Sequence, residues 1–123
     1  MNLVIETYIP RMYLGDEEAF KLIKETGFDG VDYSFYYMKP DNTVLGNDYL
    51  EHAHRLKALL DKYSLVCNQT HAPFNSIYGN PFDWSDAMYL SIVRAMESSA
   101  IMGAKHIVGL LAVDSFAGSR NRG

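Results

Sequence analysis

Strand-like and helix-like segments alternate along this chain at a nearly constant spacing. Short apolar segments typical of strands begin near residues 3, 30, 65 and 105, and helical periodicity follows each of the first three. Alternation of this kind is typical of a parallel sheet whose strands are joined by helical crossovers. The predicted order is therefore strand, helix, strand, helix, strand, helix, strand.

Turn and capping residues set the predicted boundaries. Gly27 and Gly103 stop two helices in the left-handed conformation, and Asp16, or Asp48 with Glu51, can cap helix N-termini. Strands are predicted at 3–8, 30–35, 65–70 and 105–113, and helices at 16–26, 48–63 and 85–102. The predicted buried faces contain Ala19, Phe20, Leu22 and Ile23 in the first helix, Tyr49, Ala53, Leu56, Leu60 and Tyr63 in the second, and Tyr89, Ile92, Val93, Met96 and Ala100 in the third.

The spacing of the units points to a barrel. A (β/α)8 barrel uses about 250 residues for eight units, or roughly 31 per unit, and this chain matches that period. Its 123 residues supply about half of the barrel. The expected fold class is α/β, the N-terminal half of a (β/α)8 TIM barrel with about four parallel strands and three helices. A small doubly wound open sheet is the alternative, although no Gly-x-Gly-x-x-Gly or P-loop motif supports nucleotide binding.

Composition excludes several classes of protein. The formal charge of −4 disfavours broad binding to nucleic acid or to an anionic membrane, because both need a basic face. A single cysteine, Cys67, fits a reducing compartment. The N-terminus lacks the pattern of a signal peptide, and no apolar run approaches the roughly 20 residues of a membrane helix. A cytoplasmic location without membrane contact is predicted.

Ligands of parallel α/β folds bind at the carboxyl ends of the strands, and this rule selects candidate site residues. We expect Glu6 and Asp32 to be catalytic carboxylates, and His71 to bind substrate or a metal. The other substrate-binding candidates at these strand ends are Tyr8, Ser34 and Asn68. The loop at 71–84 holds two prolines, a glycine and four aromatic residues, and loops at this end commonly carry function.

Each candidate also has a plainer interpretation. A lone loop histidine such as His71 is more often structural or solvated than functional, and Glu6 or Asp32 can simply pair with a neighbour inside a barrel. The aromatic residues at 33–37 can stack on a sugar ring, but packing is favoured. Cys67 is interpreted as a small core residue, since no activating partner is identifiable.

Three segments carry a family resemblance. "AFKLIKETGFDGVDYSF", "LLDKYSLVCNQTHAPF" and "SIVRAMESSAIMGAKHIV" together resemble the sugar phosphate isomerase/epimerase family, within the xylose-isomerase-like TIM-barrel superfamily that also contains nucleases of the endonuclease IV type. The resemblance covers about residues 1–108. It implies a divalent metal (Mn, Zn, Mg or Co) that holds adjacent substrate oxygens, and carboxylates that shuttle a proton between neighbouring carbons of a sugar or sugar phosphate.

The resemblance assigns roles residue by residue. His71 in "THAPF" matches the histidine after strand three, which is a metal ligand in the nuclease-type members and contacts substrate in many epimerases. Glu6, Tyr8 and Asp32 fall at pocket-wall positions whose roles vary in the family. The usual metal set of Glu, Asp, His and Glu comes from strands beyond the fourth. The nuclease alternative is disfavoured because Lys39, Arg55 and Arg94 are scattered.

The C-terminal segment departs from the family pattern. Members usually continue strand four into His-Pro, whereas "AKHIV" is followed here by "GLLAVDSFAGSRNRG". We therefore expect a partial barrel at 1–108 and an atypical tail at 109–123, out of frame or disordered, in a truncated chain. Open parallel edges invite pairing with another chain, so self-association that mimics a closed barrel is expected. An inactive fragment or self-associating half-barrel is accordingly the alternative to an isomerase or epimerase.

Overall fold

Four parallel strands form one sheet in the described part of the chain. A computed structural model describes residues 3–73 and 86–109. The strands lie in the order β1-β2-β3-β4, and each neighbouring pair is parallel. In chain order the elements are β1 (Val4–Glu6), α1 (Tyr8–Leu14), α2 (Asp16–Glu25), β2 (Gly30–Ser34), α3 (Tyr49–Lys62), β3 (Val66–His71), α4 (Asp86–Met102) and β4 (His106–Val108). The predicted α/β class is confirmed, and the arrangement is consistent with a half-barrel unit.

The first strand is shorter than predicted, and a helix follows it. β1 ends at Glu6, and Tyr8 is the first residue of α1 rather than the end of a strand. Pro10 lies in the first turn of α1, where backbone N–H groups have no intrahelical acceptor, so proline removes no hydrogen bond there. Extending the strand to residue 8 was therefore wrong, and α1 was missed.

Three helices, α2, α3 and α4, end in the same hydrogen-bonded motif. At the end of α2 the Phe28 N–H donates to Ile23 O at 3.2 Å and the Gly27 N–H to Lys24 O at 3.0 Å, with Gly27 at φ +106°. Gly103 ends α4 in the same way at φ +93°. Both predicted glycine stops are confirmed.

The predicted N-terminal caps are wrong. Asp16 is the first helical residue of α2 and makes no cap bond, because its carboxylate pairs with Arg11. Asp48 occupies the N-cap position of α3 but also makes no side-chain cap bond, and its nearest cation is His52 at 3.9 Å. At both positions an aspartate that could cap the helix lies beside another side chain instead of bonding a backbone N–H.

The hydrophobic core lies between the helices and one face of the sheet. Val31, Tyr33 and Phe35 from β2 and its end pack there against α2 and α3. The predicted buried residues Ala19, Phe20 and Ile23 of α2 and Ala53, Leu56 and Leu60 of α3 are confirmed, whereas Leu22 is 48% exposed.

The buried face of α4 differs from the predicted one. Its buried residues are Met88, Ser91, Ala95, Ser98, Ser99 and Met102, while Tyr89 and Met96 are 67% and 53% exposed. Serine can be buried here because its hydroxyl bonds within the helix, as Ser99 Oγ does to Ala95 O at 2.6 Å. Ser99 also contacts Thr70 of β3 at 2.7 Å. Small side chains thus bring α4 close to the sheet, while Tyr89, Met96 and Ala100 of the predicted face are exposed.

An irregularity between β2 and β3 sets the faces of the site residues. Gly30 pairs with Val66, but Asp32 pairs with Gln69, so β3 contains one extra residue between these positions. A Cβ at Gly30 would lie 2.5 Å from Val66 O, so only glycine permits this approach. The extra residue places Gln69, rather than Asn68, beside Asp32.

Two predicted segments fall largely on residues without a described structure. The loop predicted to carry function at 71–84 is described only as far as residue 73, and residues 110–123 of the tail lie outside the described residues. Among the helices in residues 3–73 and 86–109, none is both long and apolar enough to cross a membrane.

Candidate active site

Polar side chains from three strands meet on the sheet face opposite the core. Glu6 is paired in register with Asp32, Asp32 with Gln69, and Ser34 with His71. Because registered neighbours in parallel strands point to the same face, these side chains share one surface. The cluster lies at the carboxyl end of the sheet, as predicted.

A buried threonine fixes the ends of β1 and β2 to each other. The Thr7 N–H donates to Asp32 O at 3.1 Å, and Thr7 Oγ1 accepts from the Ser34 N–H at 3.1 Å. Thr7 and Ser34 are both 0% exposed. The strand ends that carry Glu6 and Asp32 are therefore held rigidly, which a site needs for a defined geometry.

Asp32 and His71 form a hydrogen-bonded pair at the centre of the cluster. Asp32 Oδ1 lies 2.8 Å from His71 Nδ1, and the Gln69 amide donates to Asp32 Oδ2 at 2.7 Å. The side chains of His71 and Asp32 are 22% and 12% exposed. An ionised carboxylate only accepts hydrogen bonds, so in this pair Nδ1 is the donor and Nε2 is the ring nitrogen outside the bond.

Glu6 is the second carboxylate of the cluster. It is half-buried in β1, and its Oε1 accepts the backbone N–H of Tyr8 at 2.8 Å. Both oxygens of Asp32 are engaged by side chains, whereas Oε1 of Glu6 is held by one backbone donor. The two carboxylates predicted as equals thus have different surroundings.

Tyr36 joins the cluster from the segment after β2. Its ring centroid lies 5.3 Å from that of His71, at an interplanar angle of 71°. Burial raises the pKa of Tyr36, and the charges of Glu6 and Asp32 raise that pKa further. The phenol therefore stays protonated near both carboxylates. Sequence reasoning treated the aromatic segment 33–37 as a whole and did not single out Tyr36.

The rings of Tyr8, Tyr36 and Tyr37 lie next to one another and line a cleft. The Tyr8 ring lies 5.9 Å from Tyr36 and 5.7 Å from Tyr37, measured between centroids. Together with Met12 and Met38 they line a cleft of about 250 Å³. The packing interpretation is confirmed for Tyr33 and Phe35, which are 0% exposed.

Arg11 supports this region from α1, although no sequence pattern marks its role. It forms an ion pair with Asp16, and its Nη1 donates to Ser34 O at 3.1 Å. The guanidinium also lies over the Tyr33 ring, 4.2 Å from the centroid. Its charge is therefore used within the fold, tying α1 and α2 to the end of β2.

The remaining candidates are outside the Asp32–His71 hydrogen bond. Ser34 is fully buried, and its hydroxyl accepts the Tyr36 N–H at 3.3 Å. Asn68 is exposed and lies three residues before His71, within β3. Cys67 is 4% exposed, and burial raises the pKa of its thiol to about 11, which confirms the core interpretation. Gln69 was missed, although it lies two residues before His71 in a strand, a spacing that places both side chains on the same face.

The donor set does not make a complete metal centre. Within residues 3–73 and 86–109, no three His, Cys, Asp or Glu side chains are grouped to hold a metal ion. Neither a scan against protein-family models nor a search of curated proteins found a match for this chain. The described geometry and the resemblance of the sequence motifs are therefore the basis for assigning a function.

Proposed function

We propose that this chain contributes to the active site of an isomerase or epimerase that moves a proton between adjacent carbons of a sugar or sugar phosphate. The observation that carries the proposal is the Asp32–His71 hydrogen bond of 2.8 Å at the carboxyl end of a parallel sheet. A histidine oriented by a carboxylate presents its other nitrogen for proton transfer. The resemblance to the sugar phosphate isomerase/epimerase family supports the same reaction class.

The geometry favours different roles for the two carboxylates. Asp32 is a positioning residue, because its two oxygens hold His71 and accept from Gln69. Glu6 and His71 Nε2 are the proton-transfer groups, one acting as base toward a C–H proton and the other as acid toward a substrate oxygen. Tyr36 remains a neutral phenol beside them, able to donate to a substrate oxygen.

The implied divalent metal does not fit the described residues alone. His71 Nε2 is a suitable single ligand, because a metal-binding histidine usually bonds a carboxylate through its other nitrogen. A metal in this site requires further ligands from outside the described residues. When bound, such a metal would hold adjacent substrate oxygens and stabilise the charge that develops on them.

Isotope exchange tests the proposal directly. The chain is incubated in D₂O with a panel of aldoses, ketoses and their phosphates, with and without Mn²⁺, and loss of C–H signals is followed by ¹H NMR. We expect exchange at one carbon of at least one sugar. His71→Asn and Glu6→Gln should each lower its rate by about 10²–10⁴-fold, the usual contribution of an acid–base group.

His54→Asn is the matched control, since His54 is exposed on α3, away from the sheet end. Its exchange rate should equal that of the unsubstituted chain. If no sugar in the panel exchanges a C–H proton under either metal condition, or if His71→Asn and His54→Asn behave alike, the proposed function is wrong.

A second candidate function is a self-associating half-barrel module. Its support is the exposed apolar side chains on the two edge strands of the described sheet and on the helices next to them in the chain. The segment of β1 and α1 exposes Leu3, Val4, Ile9, Tyr13 and Leu14, here called the β1 flank. The segment of α4 and β4 exposes Tyr89, Leu90, Met96 and Val108, the β4 flank. Clustered apolar side chains of this kind mark interaction surfaces.

A further inference from the structure

The aromatic cleft beside the candidate active site is not used by the proton-transfer groups. It encloses about 250 Å³ between α1 and the segment that follows β2, and Tyr8, Met12, Tyr36, Tyr37 and Met38 contribute to its walls. Whole small-molecule sites commonly measure about 300–1,000 Å³, so this space suits part of a ligand. Aromatic and thioether walls favour an apolar or ring-shaped group.

Tyr37 is held in a conformation that its side chain disfavours. Its φ of +62° is left-handed, a region in which the Cβ of an L-residue is crowded by the following carbonyl oxygen. Its side chain is nevertheless 54% exposed at the cleft and contacts the Tyr8 ring. Strain of this kind is commonly found at ligand-binding sites. A large, half-exposed ring at a strained position is therefore independent evidence that the cleft binds something.

The charge at the cleft does not favour a phosphate. Arg11 lines it, but the guanidinium is paired with Asp16 and donates to Ser34 O at 3.1 Å. Phosphate recognition depends on charge-assisted bonds from cations that are available to the ligand. The other wall residues named above are uncharged, so the cleft is suited to an uncharged group.

The cleft and the Asp32–His71 pair share a wall. The Tyr36 ring lies 5.3 Å from the His71 ring on one side and 5.9 Å from the Tyr8 ring, which lines the cleft, on the other. One ligand can therefore occupy both places. We propose that the cleft binds an uncharged ring substituent of the substrate, so that the sugar at His71 carries an aromatic or other cyclic substituent instead of a phosphate on this side. This inference rests on the proposed function for the position of the sugar.

Ligand titrations on the full chain test the subsite without turnover. Phenyl β-D-glucopyranoside, methyl β-D-glucopyranoside and glucose 6-phosphate are titrated while the methyl resonances of Met12 and Met38 are followed by NMR. We expect the phenyl glycoside to bind about tenfold or more tightly than the methyl glycoside, as a buried and stacked ring provides. Glucose 6-phosphate should bind no more tightly than the methyl glycoside.

Variants locate the binding. Tyr8→Ala and Met12→Ala should remove the advantage of the phenyl ring, and Met12 is 55% exposed, so the second variant leaves the core intact. Tyr37→Gly should also remove it, while the melting temperature stays level or rises because the left-handed strain is relieved. Leu22→Ala is the control, since Leu22 is 48% exposed on α2 and belongs to neither the cleft nor the two edge strands.

Each outcome decides the inference. Equal affinities for the phenyl and methyl glycosides, tightest binding of glucose 6-phosphate, or equal losses in Met12→Ala and Leu22→Ala would overturn it, and so would no binding of any probe. A phenyl preference that Met12→Ala removes, in a chain that shows no C–H exchange, would retain the ring subsite and reject only the proposed reaction.

Discussion

Two residues other than glycine adopt left-handed backbone conformations within the described part of the chain. Tyr37 at φ +62° lies at the aromatic cleft, and Ser64 at φ +54° follows α3. Ser64 occupies the position that Gly27 takes after α2, and the Leu65 N–H donates to Leu60 O at 2.8 Å as the equivalent bond. At Tyr37 we explain this strain by the proposed ring subsite. At Ser64 it reflects only the local backbone structure at the end of α3.

Ser64→Gly should therefore raise the free energy of unfolding by about 0.5–1 kcal/mol. Glycine relieves the left-handed strain, but its larger entropy in the unfolded state offsets part of this stabilisation. The bond from Lys24 Nζ to Ser64 O at 3.3 Å uses a backbone oxygen and is retained. The measurement is urea unfolding with an unchanged m-value. Ser64→Ala is the control and should give no gain. A destabilised Ser64→Gly variant would contradict the explanation.

At the scale of elements, sequence periodicity predicted the sheet and most helices, and it failed where local chemistry decides. The alternation of segments predicted four parallel strands, and glycines predicted two helix ends. The face of α4 was wrong because the buried Ser91 and Ser99 bond their own helix, so apolar spacing did not mark the core side. Strand alternation places Gln69 on the same face as His71, but its pairing with Asp32 depends on the extra residue in β3, and no propensity reveals such a register shift.

Gly30→Ala tests the irregular pairing of β2 with β3. The new Cβ would lie 2.5 Å from Val66 O and 2.8 Å from Val66 Cγ2, and a backbone carbonyl cannot move without displacing the strand. We expect a loss of about 1–3 kcal/mol in unfolding free energy, typical of overpacking. Because Asp32 and Gln69 lie just beyond the irregularity, the hydrogen bonds around His71 should also be disturbed, which NMR of the histidine ring can detect.

The control for Gly30→Ala is Gly109→Ala. A Cβ at Gly109 would come no closer than 4.0 Å, to Ala72 Cβ, so its stability should change by no more than about 0.5 kcal/mol. Equal stability of the two variants would mean that the close approach at Gly30 does not constrain the sheet.

At the scale of the whole molecule, the two edge strands of the described sheet run in the same direction and carry opposite charges. β1 carries Glu6, and Asp29 lies beside its start, whereas Lys105 and His106 are exposed at β4. A twofold axis parallel to the strands would place β4 of each copy against β1 of the other, with all strands still parallel. We therefore propose a dimer in which the two flanks form two equivalent interfaces and eight strands close into a ring.

The flanks defined above provide the test of this dimer, measured by light scattering coupled to size exclusion. Tyr13→Lys on the β1 flank and Tyr89→Lys on the β4 flank should each shift the chain toward monomer, because each substitution damages both interfaces of a homodimer. Leu22→Lys is the control, since Leu22 is 48% exposed on α2, a helix between the edges, and should leave the mass unchanged.

Mixing the variants distinguishes this arrangement from other dimers. In a mixed dimer of the Tyr13→Lys and Tyr89→Lys chains, one interface contains both lysines and the other contains neither. Equal mixing should therefore restore part of the dimer that each variant alone has lost. In an alternative dimer, the same flank of both copies would form a single interface. Mixing the variants would not free that interface of lysine, because one of the two chains always carries the substituted residue in it. A monomer at every concentration of the unsubstituted chain, or dissociation by Leu22→Lys as strong as by Tyr89→Lys, would show that the two edges do not pair between copies.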